Sequence, residues 1–340
     1  MPDPLAAFEF RGGPRLVVGP GSIARLGELA AELGGRRALV TSDPGIIAAG
    51  HTAAGIESLE RAGLATTVFS GFGENPTSTQ IDAGTAVARD FRPDILVGLG
   101  GGSSMDCAKG INFLLSCGGH MRDYKGRGTA TAPMLPSIGV PTTAGTGSET
   151  QSFALVTDSE TGMKMACGDP RAAFRIAILD VDLTLTQPLS LAARGDTLDR
   201  AAVQRGASWA GLAIENSMLG AAHALANPLT AAHGLVHGRA VGLMLPHVVR
   251  FNAGACGAHY VELLADVGIV STPADAGLRL ADWVADVVTL ARLPTSLTSA
   301  GIGSADAHAL AGAAAAQWTA GFNPRPVTAA DLAALYEAAR

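Results

Sequence analysis

Two periodicities divide this sequence. Up to about residue 187, short apolar runs alternate with segments of helical spacing. "RRALVTSD" (36–43), "ATTVFSGF" (65–72) and "PDILVGLG" (93–100) read as strands, and "GHTAAGIESLERAG" and "STQIDAGTAVARDF" as the helices between them. Such alternation argues for a parallel sheet covered by helices on both faces. After "RIAILDVDLTLTQP" the character changes: from about Leu189 onward Ala and Leu recur at helical spacing, and no strand pattern is found. We therefore expect an α/β domain over residues 1–187 and an all-helical domain over 188–340, divided near Pro188. Pro228 is expected to stop the long stretch "RAAVQRGASWAGLAIENSMLGAAHALAN", and Pro246 to break or kink the helix after it.

Composition narrows the partners. The chain has 340 residues, 48% hydrophobic and 16% charged, the profile of a well-buried globular protein. A net charge of −6 and the lack of any Lys/Arg cluster give no footprint for nucleic acid. The apolar runs are too short or too broken by Gly and Pro to span a bilayer. "MPDPLAAFEFRGG" has no basic start followed by an apolar run, and the four cysteines form no CxxC pair. A cytoplasmic protein with reduced cysteines is expected.

"PDILVGLGGGSSMDCAKG" carries a strand, a glycine turn and a helix in that order. Gly100, Gly101 and Gly102 let backbone approach a ligand closely, and the following helix turns unpaired N–H groups toward the turn, which favours an anion. Ser103 and Asp106 have the S-x-x-D spacing of a capping pair, so an ordinary capped βα turn is the competing reading. A second glycine-rich loop, "SIGVPTTAGTGSET", offers Thr142, Thr143, Thr146 and Ser148 to a ribose or phosphates. Two such loops behind strands of one sheet point to a nucleotide cleft at the strand C-termini. Further on, "AHALANPLTAAHGLVHGRAVGLMLPH" (222–247) gathers four of the eight histidines, either as a metal site or through core packing.

The combination of "GGGSSMDCAKG", "PTTAGTGSE" and "HGRAVGLMLPHVVRFN" resembles the iron-containing (group III) alcohol dehydrogenase family over nearly the whole chain. The resemblance implies a Rossmann-like N-terminal domain, an all-α C-terminal domain and a homodimer. It places Asp43 beside the adenosine ribose, where a carboxylate accepts from ribose hydroxyls and repels a 2′-phosphate, so NAD is favoured over NADP. An Asp-Pro turn is the plainer role for Asp43. By the same resemblance Asn75, Gly101, Gly102, Ser103, Asp106, Thr142, Thr143 and Thr146 belong to the cofactor site, and Leu155 and Lys164 line the nicotinamide ribose. The family's metal is held by one Asp and three His. His223 and His237, 14 apart, match two of these, while His233 and His247 match none and read as structural.

The chain departs from the family at the first ligand pair, an Asp and a His four apart on a helix. In "RGDTLDRAAV", Asp196 could be the carboxylate, but Arg200 stands where the histidine should be, and a guanidinium cannot coordinate a cation. Either Asp196 is a ligand followed by a deletion, or the whole ligand helix is deleted. Asn227 occupies the position of a histidine proposed to relay protons, and an amide cannot act as a general base. The implied activity is NAD-dependent oxidation of an alcohol or reduction of an aldehyde, with weakly bound Fe²⁺ or Zn²⁺ as Lewis acid. The alternatives are a degenerate nucleotide binder and a metal-free reductase of the maleylacetate reductase type. A lyase of the dehydroquinate synthase type is disfavoured by "PTTAGTGSE".

Overall fold

The computed structural model describes residues 12–184, 197–303 and 307–340, so Pro188 and Asp196 lie outside the described residues. The chain divides into two compact units, Met1–Asn216 and Ser217–Arg340.

The first unit is built on a parallel sheet. Its strands are β1 (Arg15–Val18), β2 (Arg37–Thr41), β3 (Ala65–Phe69), β4 (Ile95–Gly100), β6 (Ser137–Pro141) and β9 (Ile176–Leu179), in the order β1-β9-β6-β4-β2-β3. Every pairing among them is parallel. Alternation of side chains along a strand sends successive residues to opposite faces, and two separate cores result. Ala38 and Val40 of β2 and Ile95, Val97 and Leu99 of β4 pack with Leu26, Leu29 and Leu59. These last belong to α1 (Leu26–Glu32) and α3 (His51–Arg61). Leu39 and Leu96 point the other way, into a core shared with Ile81 and Ala88 of α4 (Ser78–Phe91) and Ile111 and Phe113 of α5 (Gly102–Cys117). From β2 the chain moves outward to β3 and then returns to β4 on the other side of β2, so strand order reverses between β2 and β4. Ligand clefts of open α/β sheets lie at such a point, beyond the strand C-termini.

A second, three-stranded sheet was not legible in the sequence pattern. It consists of β5 (Gly126–Arg127), β8 (Lys164–Gly168) and β7 (Phe153–Thr157), with β7 antiparallel to β8. Its strands bring Leu155 and Lys164 to the α5 side of the large sheet, where Ala154, Val156, Met165 and Cys167 join the second core.

The unit closes with α6 (Thr197–Ser217), helical in sequence character yet packed on the α/β unit. At its crossing with the 146–150 turn the two backbones touch. A Cβ added at Gly211 would overlap Thr150 Oγ1 and the Gly147 carbonyl, and one added at Gly147 would lie 2.7 Å from the Ala207 carbonyl.

The second unit contains α7 (Ala221–His233), α8 (His237–Asp266), α9 (Ala276–Leu290), α10 (Ala307–Ala315) and α11 (Ala329–Ala338). Its core joins Leu225, Leu229, Leu243, Met244, Leu335 and Tyr336, and the buried Tyr336 hydroxyl donates to the Leu225 carbonyl at 2.6 Å. The expectation that Pro228 ends a helix is corrected. The long stretch breaks earlier, at Met218 (φ 64°) before Gly220, and α7 then runs through Pro228 to His233. A proline removes one helical N–H bond, and here it is a buried residue of the helix it interrupts. Pro246 likewise lies inside the 30-residue α8. No described helix is long and apolar enough to cross a membrane.

Candidate active site

In the first unit, the sequence-selected residues gather at the C-terminal edges of β2, β4 and β6. The chain leaves β4 through Gly100 (φ 149°), where a Cβ would overlap the Ser104 hydroxyl, and enters α5 at Gly102. The first intrahelical bond of α5 runs from Ser104 N to the Gly101 carbonyl, 3.1 Å. The earlier amides, of Gly102 and Ser103, therefore belong to the orphan donors of a helix N-terminus. The second loop lies directly against the first. Thr142 N donates to the Gly100 carbonyl at 2.9 Å. The Cβ positions of Gly101 and Gly102 lie 3.3 Å from Thr143 Oγ1 and 3.3 Å from Ser148 Oγ, so side chains there would crowd the neighbouring loop. The Thr142 hydroxyl is buried with no partner.

The expected Ser103/Asp106 capping pair does not form. The N-cap is Gly101, which places Ser103 inside the first turn, and its hydroxyl instead accepts the Asn75 backbone N–H at 3.1 Å. Asn75 itself has φ 56°, and its side-chain oxygen accepts from Lys164 Nζ at 2.9 Å. Asp106 is buried, and its carboxylate accepts from the Leu155 backbone. Burial pushes the Asp106 carboxyl up to about 6 against the opposing pull of Lys109 and Lys164, and it holds the Lys164 ammonium below its ordinary value. Asp43 caps α2 (Pro44–Ala48): its Oδ1 accepts from Gly45 N at 2.9 Å and Ile46 N at 3.2 Å. Its Oδ2 lies 3.5 Å from the Ser104 hydroxyl, at the mouth of the glycine turn. The Asp-Pro turn reading of Asp43 is thus the one observed, and it occupies Oδ1.

Two residues that sequence reasoning passed over hold the second loop from behind. Lys109 is buried in α5, and its Nζ donates to the carbonyls of Ser148 (2.7 Å) and Phe153 (3.0 Å) above the Phe174 ring. Glu149 is buried and accepts from the Ser208 hydroxyl of α6, while its Oε2 has no partner. Burial raises the Glu149 carboxyl and lowers the Lys109 ammonium to about 8. The available signal was a lone lysine on an otherwise apolar helix, three residues after Asp106.

In the second unit, His223 stands in the first turn of α7, because the long stretch breaks before it and not at Pro228, and His237 opens α8. Gly234 (φ 64°) ends α7 and lets the chain reverse, bringing the two imidazoles to a centroid separation of 5.4 Å. Among the described residues no group of three or more His, Cys, Asp or Glu converges to hold a metal. Asn227 Nδ2 donates to Gln317 Oε1 at 3.0 Å. His247 is partly buried, and burial together with Arg250 keeps it below the ordinary histidine value.

Two family profiles together match residues 13–340: "Iron-containing alcohol dehydrogenase" over residues 13–181 and "Fe-containing alcohol dehydrogenase family, C-terminal" over 181–340. The chain belongs to the iron-containing alcohol dehydrogenase family. It is 29% identical to the NAD-dependent methanol dehydrogenase of Bacillus methanolicus over 374 aligned positions, covering 94% of this chain and 96% of that one. The 1,3-propanediol dehydrogenase of Klebsiella pneumoniae is 30% identical, again over 94% and 96%. The solved alcohol dehydrogenase from Oenococcus oeni superposes with a TM-score of 0.93 at 25% identity, covering 98% of this chain and all of that one. Iron-containing alcohol dehydrogenases are oxidoreductases, and the fold expected from the sequence, a Rossmann-like α/β part followed by helices, is the fold observed.

Within that family frame, Arg200 differs from a ligand histidine in both chemistry and use. It is buried, and its guanidinium donates to the Thr184 carbonyl at 2.9 Å. The aligned length of 374 positions exceeds the 340 residues of this chain, so the relative carries residues that this chain lacks.

Proposed function

We propose that this protein is an NAD(H)-dependent alcohol dehydrogenase or aldehyde reductase acting on small substrates. The observation that carries the reading is the pair of abutting loops at the β2/β4 reversal. Gly101 and Gly102, where side chains would crowd the facing hydroxyls, and the start of α5 form a cradle for an anion such as a pyrophosphate. The dinucleotide fits this arrangement: Asp43 Oδ2 faces the ribose end, Thr142, Thr143 and Thr146 line the second loop, and the orphaned Thr142 hydroxyl supplies a polar group in need of a partner. Asn75, Lys164 and Leu155 are tied to one another through Ser103 and Asp106, and they hold the nicotinamide end. The bound cofactor supplies the hydride. The chain's part is to orient it, exclude water and, through the Asp43 carboxylate, favour NAD over NADP.

The metal is a different matter. His223 and His237 are the described residues that resemble iron ligands, and two imidazoles alone seldom hold a divalent ion tightly. Asp196, the third candidate, lies outside the described residues, and Arg200 cannot ligate. The described donor set does not fit a complete iron or zinc site. We infer weak binding of Fe²⁺ or Zn²⁺ at the histidine pair, and a deletion of the family's first ligand helix between the α/β part and α6. This incomplete pair also favours a second reading, a nucleotide binder or metal-free reductase. Asn227, bonded to Gln317, takes no proton in either reading. As a division of labour we keep residues 1–187 for the dinucleotide and 188–340 for substrate, with α6 lent to the first part as packing, and we infer a cytoplasmic homodimer. Metal analysis of the purified protein, paired with NADH oxidation over a panel of short aldehydes, separates these readings. Metal-independent turnover supports the metal-free reductase, and NADH binding with no turnover under any metal supports the binder. Absence of NADH binding refutes the dinucleotide assignment itself.

A further inference from the structure

We propose that Lys109 is a positioning residue for the dinucleotide: its buried ammonium clamps the Ser148 and Phe153 carbonyls to α5 and so fixes the second cofactor loop against the first. The inference rests on the cofactor reading above and adds a role for a residue two turns below the pyrophosphate cradle.

Lys109 is 1% exposed, with the carboxyl groups of Asp106, Glu215 and Glu149 near enough to favour its charge. Its direct contacts are two backbone carbonyls, at 2.7 and 3.0 Å, and the face of Phe174 with its ring centroid 5.0 Å away. A buried ammonium is costly unless its donors are satisfied. Here the carbonyls that satisfy it bracket the segment 148–153, which links the Thr142–Ser148 loop to β7. Ser148 is also the residue whose hydroxyl lies 3.3 Å from the Cβ position of Gly102, at the start of α5. The lysine thus ties the far end of one loop to the same helix whose N-terminus forms the other. On the opposite side of the segment, Glu149 and Thr150 are held by Ser208 of α6, so the loop is gripped from two directions. Without the ammonium, two buried carbonyls lose a charged donor and the loop is free to move away from α5. A pyrophosphate that needs both loops at once then meets a wider cradle.

Lys109 touches neither cofactor nor substrate, so the readout must separate positioning from plain stability. The experiment titrates NADH, and ADP-ribose as a competitor lacking the nicotinamide, against folded wild type, Lys109→Met and Lys109→Gln, by NADH fluorescence and without added metal. Methionine keeps the length and removes the donors; glutamine keeps a neutral donor and serves where methionine does not fold. The expected result is a loss of affinity for both ligands of at least about tenfold in Lys109→Met and a smaller loss in Lys109→Gln. Hydrogen exchange of the ligand-free 142–150 backbone should be faster in both. Where turnover is measurable, KM for NADH should rise with little change in kcat. Unaltered affinity and exchange in a folded variant overturn the proposal. Failure of the wild type itself to bind NADH is a different failure: it removes the cofactor reading, and the proposal with it.

Discussion

Substitution can separate the ribose role proposed for Asp43 from its observed role as a helix cap. Its Oδ1 caps α2 through Gly45 N and Ile46 N, while Oδ2 is left at the mouth of the glycine turn beside Ser104. Asparagine caps a helix about as well as aspartate, alanine costs about 1 kcal/mol and glycine only a few tenths. In a unit of this size about 1 kcal/mol is worth roughly 2–4 °C in Tm. Asp43→Ala should therefore lower Tm by about that much, and Asp43→Asn should leave it unchanged. The cofactor effect follows charge instead. Replacing the carboxylate weakens charged hydrogen bonds to the ribose hydroxyls by about 1–1.5 kcal/mol, or roughly tenfold in KM for NADH. It also removes repulsion of a 2′-phosphate, worth about another tenfold at a partly screened surface site. The NADH/NADPH ratio of kcat/KM should thus fall about a hundredfold in Asn, Ala and Gly alike. The assay is initial-rate aldehyde reduction with each cofactor, or fluorescence titration where turnover is slow, beside thermal melts. If Asp43→Asn keeps the wild-type ratio while Asp43→Ala melts early, the residue is only a cap and the NAD preference has another origin.

Three further outcomes are expected. Asp106 has a raised folded-state value, so the stability it contributes is complete below the unfolded pKa of about 4 and is lost as pH rises through about 6. Wild type should therefore lose ground to Asp106→Asn between about pH 3.5 and 6.5, by up to about 3 kcal/mol in urea unfolding, and a constant gap would contradict the assigned burial. Gly211→Ala should destabilise by about 1–3 kcal/mol through overlap with Thr150 and Gly147, whereas Gly206→Ala in the same helix, with open space at its Cβ, should be neutral or stabilising. Protein dialysed against buffer should hold well under one equivalent of metal, and His223→Ala should abolish what zinc binding remains; a tightly held stoichiometric metal would mean that ligands beyond the histidine pair complete the site.

The large sheet was legible because strand period and burial agree. In "PDILVGLG" every position is apolar or glycine after the aspartate, as a strand covered on both faces requires, and Leu96 and Val97 do fall into different cores. The small sheet was not legible because β5 has two residues, and because β7 and β8, five residues each like β2 and β3, lie outside the strand–helix alternation that marks the large sheet. The helix break at Met218 and the passage of α7 through Pro228 were misread for a related reason. Local propensity marks proline as the stop, but a left-handed backbone before Gly220 and the burial of Pro228 are set by tertiary contacts.

The same division runs through the site. Glycines that must lack a Cβ and hydroxyls on the facing loop announce themselves by residue type, and Gly101, Gly102, Ser103 and Thr142 are found together at the strand ends. What residue type does not show is which partner each group chooses. Ser103 had the spacing of a cap but takes the Asn75 N–H, because the helix begins one residue before it. Lys109 and Glu149 were passed over because a charge on an apolar helix and an acid beside a turn usually face water. Here the docking of α6 on the 146–150 turn closes that route: Gly147 and Gly211 let the backbones meet, Ser208 reaches Glu149, and the lysine must turn inward to carbonyl oxygens. The two glycine-rich loops are therefore shaped from beneath by charges that only packing makes internal. The histidine pair, by contrast, is brought together by one glycine-capped reversal within the second unit.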